Sequence, residues 1–244
     1  SVHGSDSVLE RRSRLREIAR HLEPLQSGNS HWHSMVTQRT ETIARLLHLD
    51  RLYQQIVDVP GIICEFGVHW GASFTSLLNL RSIYEPFNVS RTVVGFDTFK
   101  GFPESSIKGE AGWETGDYRS MDGFVDVLTE IAELQESFAP RPEVRKFELV
   151  PGDVTLTLDP WLEQNAHAVI ALAILDLDLH APTAHVLRSI APRLTRGSVV
   201  VFDELACPEF PGETRAAMEE VGLGSVSLRR SRYSTFASWF VVGD

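Results

Sequence analysis

Two segments release acids in a pattern that can do chemistry. "VIALAILDLDLHAP" runs from an apolar stretch into Asp176 and Asp178, and "GSVVVFDELACP" runs from another into Asp203 and Glu204. Carboxylates set side by side at the ends of apolar runs repel one another unless a cation or protons compensate. A divalent metal is the simplest compensation. Oxygen-rich donor sets suit Mg²⁺ or Ca²⁺, whereas Zn²⁺ asks for His or Cys at close spacing. The plainer account is that Asp176 and Asp178 cap a helix beginning near Pro182, and that Asp203 and Glu204 are solvated loop charges. A Pro in a first helical turn agrees with that account. It does not explain why both runs discharge acids at one edge.

"GIICEFGVHWGASFTSLLNL" raises a second possibility: an apolar run reaching Glu65, a turn between Gly67 and Gly71, then apolar residues at helical spacing. A glycine turn opening a helix favours an anion, because free backbone N–H groups and the helix dipole point at it. Phosphate fits poorly here. The turn has no Lys-Ser/Thr of a P-loop and does not match G-x-G-x-x-G, and Glu65 sets a negative charge where a pyrophosphate would lie. Asp97, just after "RTVVGF", stands where a carboxylate beyond the second strand of a doubly wound sheet accepts bonds from ribose hydroxyls. Asp153 in "VPGDVTLTL" is placed to meet an adenine amino group, with Val154 packing on the ring face. Together these describe an adenosine site without a phosphate site. S-adenosylmethionine has that shape, and its carboxylate can meet the glycine turn. The competing account is structural: the glycines permit close helix-to-strand packing, and Asp97 and Asp153 cap helices.

These residues need elements to position them. Helical spacing of apolar residues predicts helices over 7–24 and 35–57. Strand character recurs in "GIICEF", "RTVVGF", "KFELVP", "VIALAIL", "GSVVVF" and "SWFVV". Between them, 71–85, 121–137, 155–165 and 181–194 are long enough for crossover helices. Such alternation predicts an α/β fold, a mainly parallel sheet covered on both faces. The expected division is an N-terminal helical extension, 1–58, followed by the sheet-bearing domain, 59–244. Residues 100–120, "KGFPESSIKGEAGWETGDYRS", have no periodicity and read as a long loop of the kind that covers a site. Its Trp113 and Tyr118 can stack on a substrate or simply anchor the loop. His31, Trp32 and His33 can cover the site from the N-terminal helices or pack as a Trp between exposed histidines.

Composition narrows the ligand. The chain of 244 residues carries 23 basic against 33 acidic residues, a net charge of −10. That balance argues against a partner in nucleic acid or an anionic membrane and for a small molecule. Cys64 and Cys207 stand singly, forming neither a disulfide framework nor a zinc motif, so a reducing cytoplasm is the expected compartment. No apolar run approaches membrane-spanning length, and the first residues lack a signal-peptide apolar core. The N-terminal helices and "SRYSTFASWFVV" offer apolar surface to a second copy, so a homo-oligomer is expected.

Taken in order, "EFGVHWGAS", "GFDTFKGFPE", "GDV", "LDLDLHAPT" and "GSVVVFDELACPEFPGETRAAMEE" resemble the macrocin O-methyltransferase family, from about Met35 to Val221. The resemblance implies a Rossmann-like class I methyltransferase fold with a seven-stranded sheet. It implies S-adenosylmethionine-dependent methylation of a (deoxy)sugar hydroxyl on a natural-product glycoside, in antibiotic or other secondary metabolism. It places Glu65, Gly67, Gly71, Ser73, Asp97 and Asp153 in the methyl-donor pocket, with Ser106 as a further contact and with Phe66, Thr98, Val154 and Asp176 as neighbours. In the family, Mg²⁺ held by acids such as Asp178, Asp203 and Glu204 grips adjacent sugar hydroxyls, and an Asp takes the proton. Asp176 and Asp178 are the candidates for that role, and which of them meets the metal stays open. Two departures stand out: Asp203-Glu204 replaces the usual Asp-Asp, and His180 follows the Asp-x-Asp segment where Tyr is common. His180 can be a base, a ligand or a loop histidine without a role. A catechol or phenol acceptor, or a subunit that binds an adenosine ligand without chemistry, are the alternatives.

Overall fold

The computed structural model describes residues 6–25, 34–107 and 112–244; His31, Trp32 and His33 lie outside the described residues. Tertiary contacts divide the chain into two compact units, Ser1–Arg45 and Leu46–Asp244. In the first, α1 (Asp6–Leu22) carries a short ion pair from Arg12 to Glu41 at 3.0 Å. Helix α2 (Thr40–Ile56) supplies Leu49, Leu52, Tyr53 and Ile56 to the core of the second unit.

The second unit is built on strands β1 (Ile62–Phe66), β2 (Val93–Asp97), β3 (Phe147–Pro151), β4 (Ile170–Leu175), β5 (Leu194–Phe202), β6 (Arg229–Arg230) and β7 (Ser238–Val241). Their order is β3-β2-β1-β4-β5-β7-β6. The first five run parallel, and β7 lies antiparallel to both β5 and β6. Helices α3 (Ala72–Tyr84), α4 (Glu104–Ile107), α5 (Phe124–Phe138), α6 (Val154–Gln164), α7 (His180–Ile190) and α8 (Pro211–Glu220) complete it.

The period-2 alternation of strand side chains splits the core in two. Ile63, Val93, Leu172, Ile174, Val199 and Val201 face one side with residues of α2, α3 and α5. Cys64, Phe66, Val94, Phe96, Ala173, Leu175, Val200 and Phe202 face the other with residues of α6, α7 and α8. Because both faces are covered, the central strands read as unbroken apolar runs rather than alternating ones.

This is the doubly wound, mainly parallel sheet that the apolar runs predict, with the seven strands that the resemblance implies. The strand order reverses between β1 and β4, and in such sheets a ligand crevice opens at that point, beyond the carboxyl ends of the strands. The predicted strands each appear within a few residues. Helices α4 and α8 and strand β6 form where the sequence predicts no element, and α7 begins at His180, one residue before the predicted start at 181. In the C-terminal segment Trp239 and Phe240 are buried in this chain's own core, whereas Tyr233 is exposed. Both cysteines are free and buried. Among the described residues, no helix is long and apolar enough to cross a membrane.

Candidate active site

The glycine turn is shaped by close backbone approach. Gly67 has φ 93°, and a Cβ built on it would stand 1.8 Å from the Asp176 carbonyl oxygen, so the ends of β1 and β4 meet only if this residue has no side chain. Gly71, at φ 75°, is the N-terminal cap of α3 and makes no side-chain cap bond; a Cβ there would meet Leu128 at 2.4 Å. The first turn of α3, with buried Ser73, thus begins on bare backbone. Glu65 is buried at the strand end, opposite Gly95 of β2.

Asp97 pins this turn from the neighbouring strand. Its Oδ2 accepts from the Val68 and His69 amides, both at 2.7 Å, and its Oδ1 from the Phe99 amide at 2.6 Å. An ionised carboxylate has about four lone-pair sites, so a ribose hydroxyl can still be accommodated. Asp153 does what the plainer reading expected of it. Its Oδ1 caps α6 through the Thr155 amide at 2.9 Å, while Oδ2 accepts from Ser105 Oγ at 2.8 Å, tying the loop after β2 to the end of β3. Next to that tie, the Ser106 hydroxyl is buried without a hydrogen-bond partner. A buried hydroxyl left so is uncommon and marks a place where a ligand atom can supply the bond.

Other expected pocket residues divide by burial. Phe66 stacks on Phe96 with ring centroids 5.1 Å apart, and Val154 packs in the same core, so both side chains are committed there. Thr98 donates to the Gly101 carbonyl at 2.6 Å and accepts from the Lys100 amide at 3.1 Å, shaping the loop.

The acids of β4 and β5 do gather. Burial, followed by the charges of Glu204 and Asp203, pushes the half-buried Asp178 carboxyl up to about 7. Asp178 also adopts φ 62°, a left-handed conformation that Asp tolerates better than most residues. It does not cap α7, whose N-cap is Leu179 with no side-chain bond. Among the described residues no three His, Cys, Asp or Glu side chains converge in a metal-holding arrangement. His180 opens α7 and meets Glu219 of α8 across 2.7 Å from its Nε2.

Sequence reasoning missed Glu213. It is fully buried in the first turn of α8, and burial pushes its carboxyl well above the usual range. Its Oε1 accepts from the Leu177 and Asp178 amides at 3.2 and 3.4 Å, and its Oε2 from the Glu204 amide at 3.0 Å. The available signal was Pro211 followed by an acid, a helix-start pattern.

An aromatic cluster reaches the acids through Tyr118. Trp113 stacks on Phe210 with centroids 4.8 Å apart and planes 16° from parallel, and Tyr118 meets Phe210 edge-on at 6.2 Å. Burial and then the charges of Asp178 and Glu204 raise the Tyr118 phenol, which sets it within the field of the cluster. His69, unassigned by sequence, lies 6.1 Å from the Tyr118 ring; burial lowers its pKa against the opposing pull of Asp97.

The model of the macrocin-O-methyltransferase family (TylF) matches residues 16–220. The chain belongs to this family. As a macrocin-O-methyltransferase family member it is an enzyme of methyl transfer to oxygen. Its fold matches that of the calicheamicin methyltransferase CalS11 with a TM-score of 0.90 and 36% identity, over 100% of this chain and 95% of that one. A second, apo structure of CalS11, described as a TDP-rhamnose 3'-O-methyltransferase of calicheamicin biosynthesis, matches at 35% identity and TM-score 0.87, over 100% and 97% of the two chains. The O-methyltransferase NovP shares the fold at 18% identity and TM-score 0.58, over 82% and 79%. Comparison with curated protein sequences gives no match.

Proposed function

We propose that this family member transfers the methyl group of S-adenosylmethionine to a sugar hydroxyl of a natural-product glycoside or its nucleotide-sugar precursor, in antibiotic or related secondary metabolism. The observation that carries the reading is the pairing of two features at one sheet edge. One is the glycine turn pinned by Asp97. The other is the acid cluster around Asp178, whose carboxyl sits near neutrality. CalS11's described action on TDP-rhamnose supports a sugar acceptor.

In this reading the donor's amino acid portion lies against the Gly67–Gly71 turn and the uncapped start of α3. Asp97 receives the ribose, Asp153 and Ser106 border the adenine, and Glu65 faces the donor's cationic end. The acceptor hydroxyl lies between the donor methyl and Asp178. A general base works best when its pKa lies near the operating pH, and Asp178 meets that condition. As the new carbon–oxygen bond forms and the carbon–sulfur bond breaks, Asp178 takes the hydroxyl proton; the by-product is neutral S-adenosylhomocysteine. Holding oxygen, carbon and sulfur in line supplies much of the acceleration. Trp113, Tyr118 and Phe210 form the wall against which a sugar ring's C–H face can pack.

Divalent-metal assistance belongs to the same reading. Asp178, Asp203 and Glu204 offer only oxygen donors, and the charges of Glu204 and Asp203 raise the proton affinity of Asp178, so the donor chemistry fits Mg²⁺. As placed, the three do not converge on one ion. When bound, the metal supplies Lewis acidity toward the acceptor hydroxyl.

The test is mass spectrometry of a panel of glycosides, nucleotide sugars and catechols incubated with enzyme and S-adenosylmethionine, with Mg²⁺ or with a chelator. A gain of one methyl on sugars, lost with chelator and restored by Mg²⁺, is the expected result. Catechol-only methylation overturns the acceptor assignment, and full turnover under chelator overturns the metal's part.

A further inference from the structure

The two acid-bearing segments leave different strands, and the hydrogen bonds of the β4–β5 ladder end beneath them. The last rung joins the Asp203 amide to the Leu175 carbonyl at 3.0 Å. Beyond it, Leu177–Asp178 and Glu204 need another tether if their side chains are to keep a fixed separation. The Glu213 carboxylate reaches both: one oxygen takes the Leu177 and Asp178 amides, the other the Glu204 amide. The approach of α8 that makes this possible depends on Gly212. A Cβ there would stand 2.3 Å from the Asp178 carbonyl oxygen and 2.5 Å from the His180 amide.

Burying an acid completely, next to other acids, is costly in its ionised form, and an apolar side chain would pack the start of α8 at less cost. What an apolar residue cannot do is satisfy amides from two loops at once. We propose that Glu213 is a positioning residue for methyl transfer, clamping the Asp178 and Glu204 loops to each other through their backbone. The proposal rests on reading Asp178 and Glu204 as acids of the reactive site. Glu213, fully buried, presents no surface to donor or acceptor. It acts through the left-handed turn at Asp178, which sets where that carboxyl points.

Glu213→Gln tests this with little change of shape. Its single carbonyl oxygen can serve one loop, while its amide group presents donors to the amide of the other, so one loop is released. Loss of such a supporting contact lowers turnover by about 10- to 100-fold. The expected result is a kcat reduced by that factor, with S-adenosylmethionine affinity by calorimetry within about twofold of wild type. Faster amide hydrogen exchange is expected in peptides covering 176–179 and 203–205. A role confined to folding would lower the melting temperature and leave kcat of the folded enzyme unchanged, and that outcome overturns the proposal. Exchange in both segments that is unaltered by the substitution overturns it as well. Should the variant fail to fold, wild-type exchange decides: slow exchange of the Leu177, Asp178 and Glu204 amides supports the clamp, and exchange as fast as in an exposed loop removes it. Exchange is read without turnover, so a wild-type enzyme inactive on every acceptor would defeat the proposed function and leave the clamp to be judged separately.

Discussion

Asp178 sits on the carboxyl side of a fully buried strand, in a left-handed backbone conformation, with two further acids raising its proton affinity. If it takes the acceptor proton, Asp178→Asn lowers kcat by about 10²- to 10⁴-fold while calorimetric affinity for S-adenosylmethionine stays within about twofold. A variant retaining half the wild-type kcat removes Asp178 from the reaction. The same residue predicts a pH effect on stability. Its carboxyl rises from an ordinary value of 3.8 to about 7 on folding, so the folded chain holds the proton more tightly than the unfolded one. That contribution is complete below pH 4 and is lost as pH rises through 7. In chelator-treated protein, urea unfolding of wild type should therefore lose stability between pH 4 and 8 more steeply than Asp178→Asn. Parallel slopes would show that the carboxyl titrates at its ordinary value.

Helices and turns decide which groups reach the crevice. The period of the apolar residues made the strands and most crossover helices legible, because burial on both faces leaves continuous runs of Val, Ile and Leu. Helix α8 was not legible: "PGETRAAMEE" is short and largely polar, with an acid buried in its first turn, the opposite of an amphipathic pattern. Burial of Glu213 follows from amides that other elements bring to it, and no local rule contains those amides. The β1–α3 turn carries the sharpest prediction at this scale. Gly67→Ala forces a Cβ against the Asp176 carbonyl at a φ that disfavours it, and should destabilise the fold by more than about 3 kcal/mol in urea unfolding. A loss below about 1 kcal/mol would mean that β1 and β4 can part at this edge without cost.

At the scale of the molecule, the core is divided by the sheet and reaches back into α2, whose Leu49, Leu52, Tyr53 and Ile56 are buried. A fragment spanning 40–244 keeps that whole core. It should melt in one cooperative transition by circular dichroism; a broad, non-cooperative loss of signal would show that residues before 40 are needed for the fold. By itself the sequence determined the sheet, the edge at which the acids emerge and, through motifs in order, the family. These depend on periodicity and on local residue order, which a linear chain carries in full. The tertiary structure alone decided that Asp153 takes the Ser105 hydroxyl, that Asp97 holds the glycine turn, that Phe210 meets Trp113, and that Glu213 joins two loops. Each of those depends on groups far apart in the chain whose distance is fixed only when the strands stack side by side.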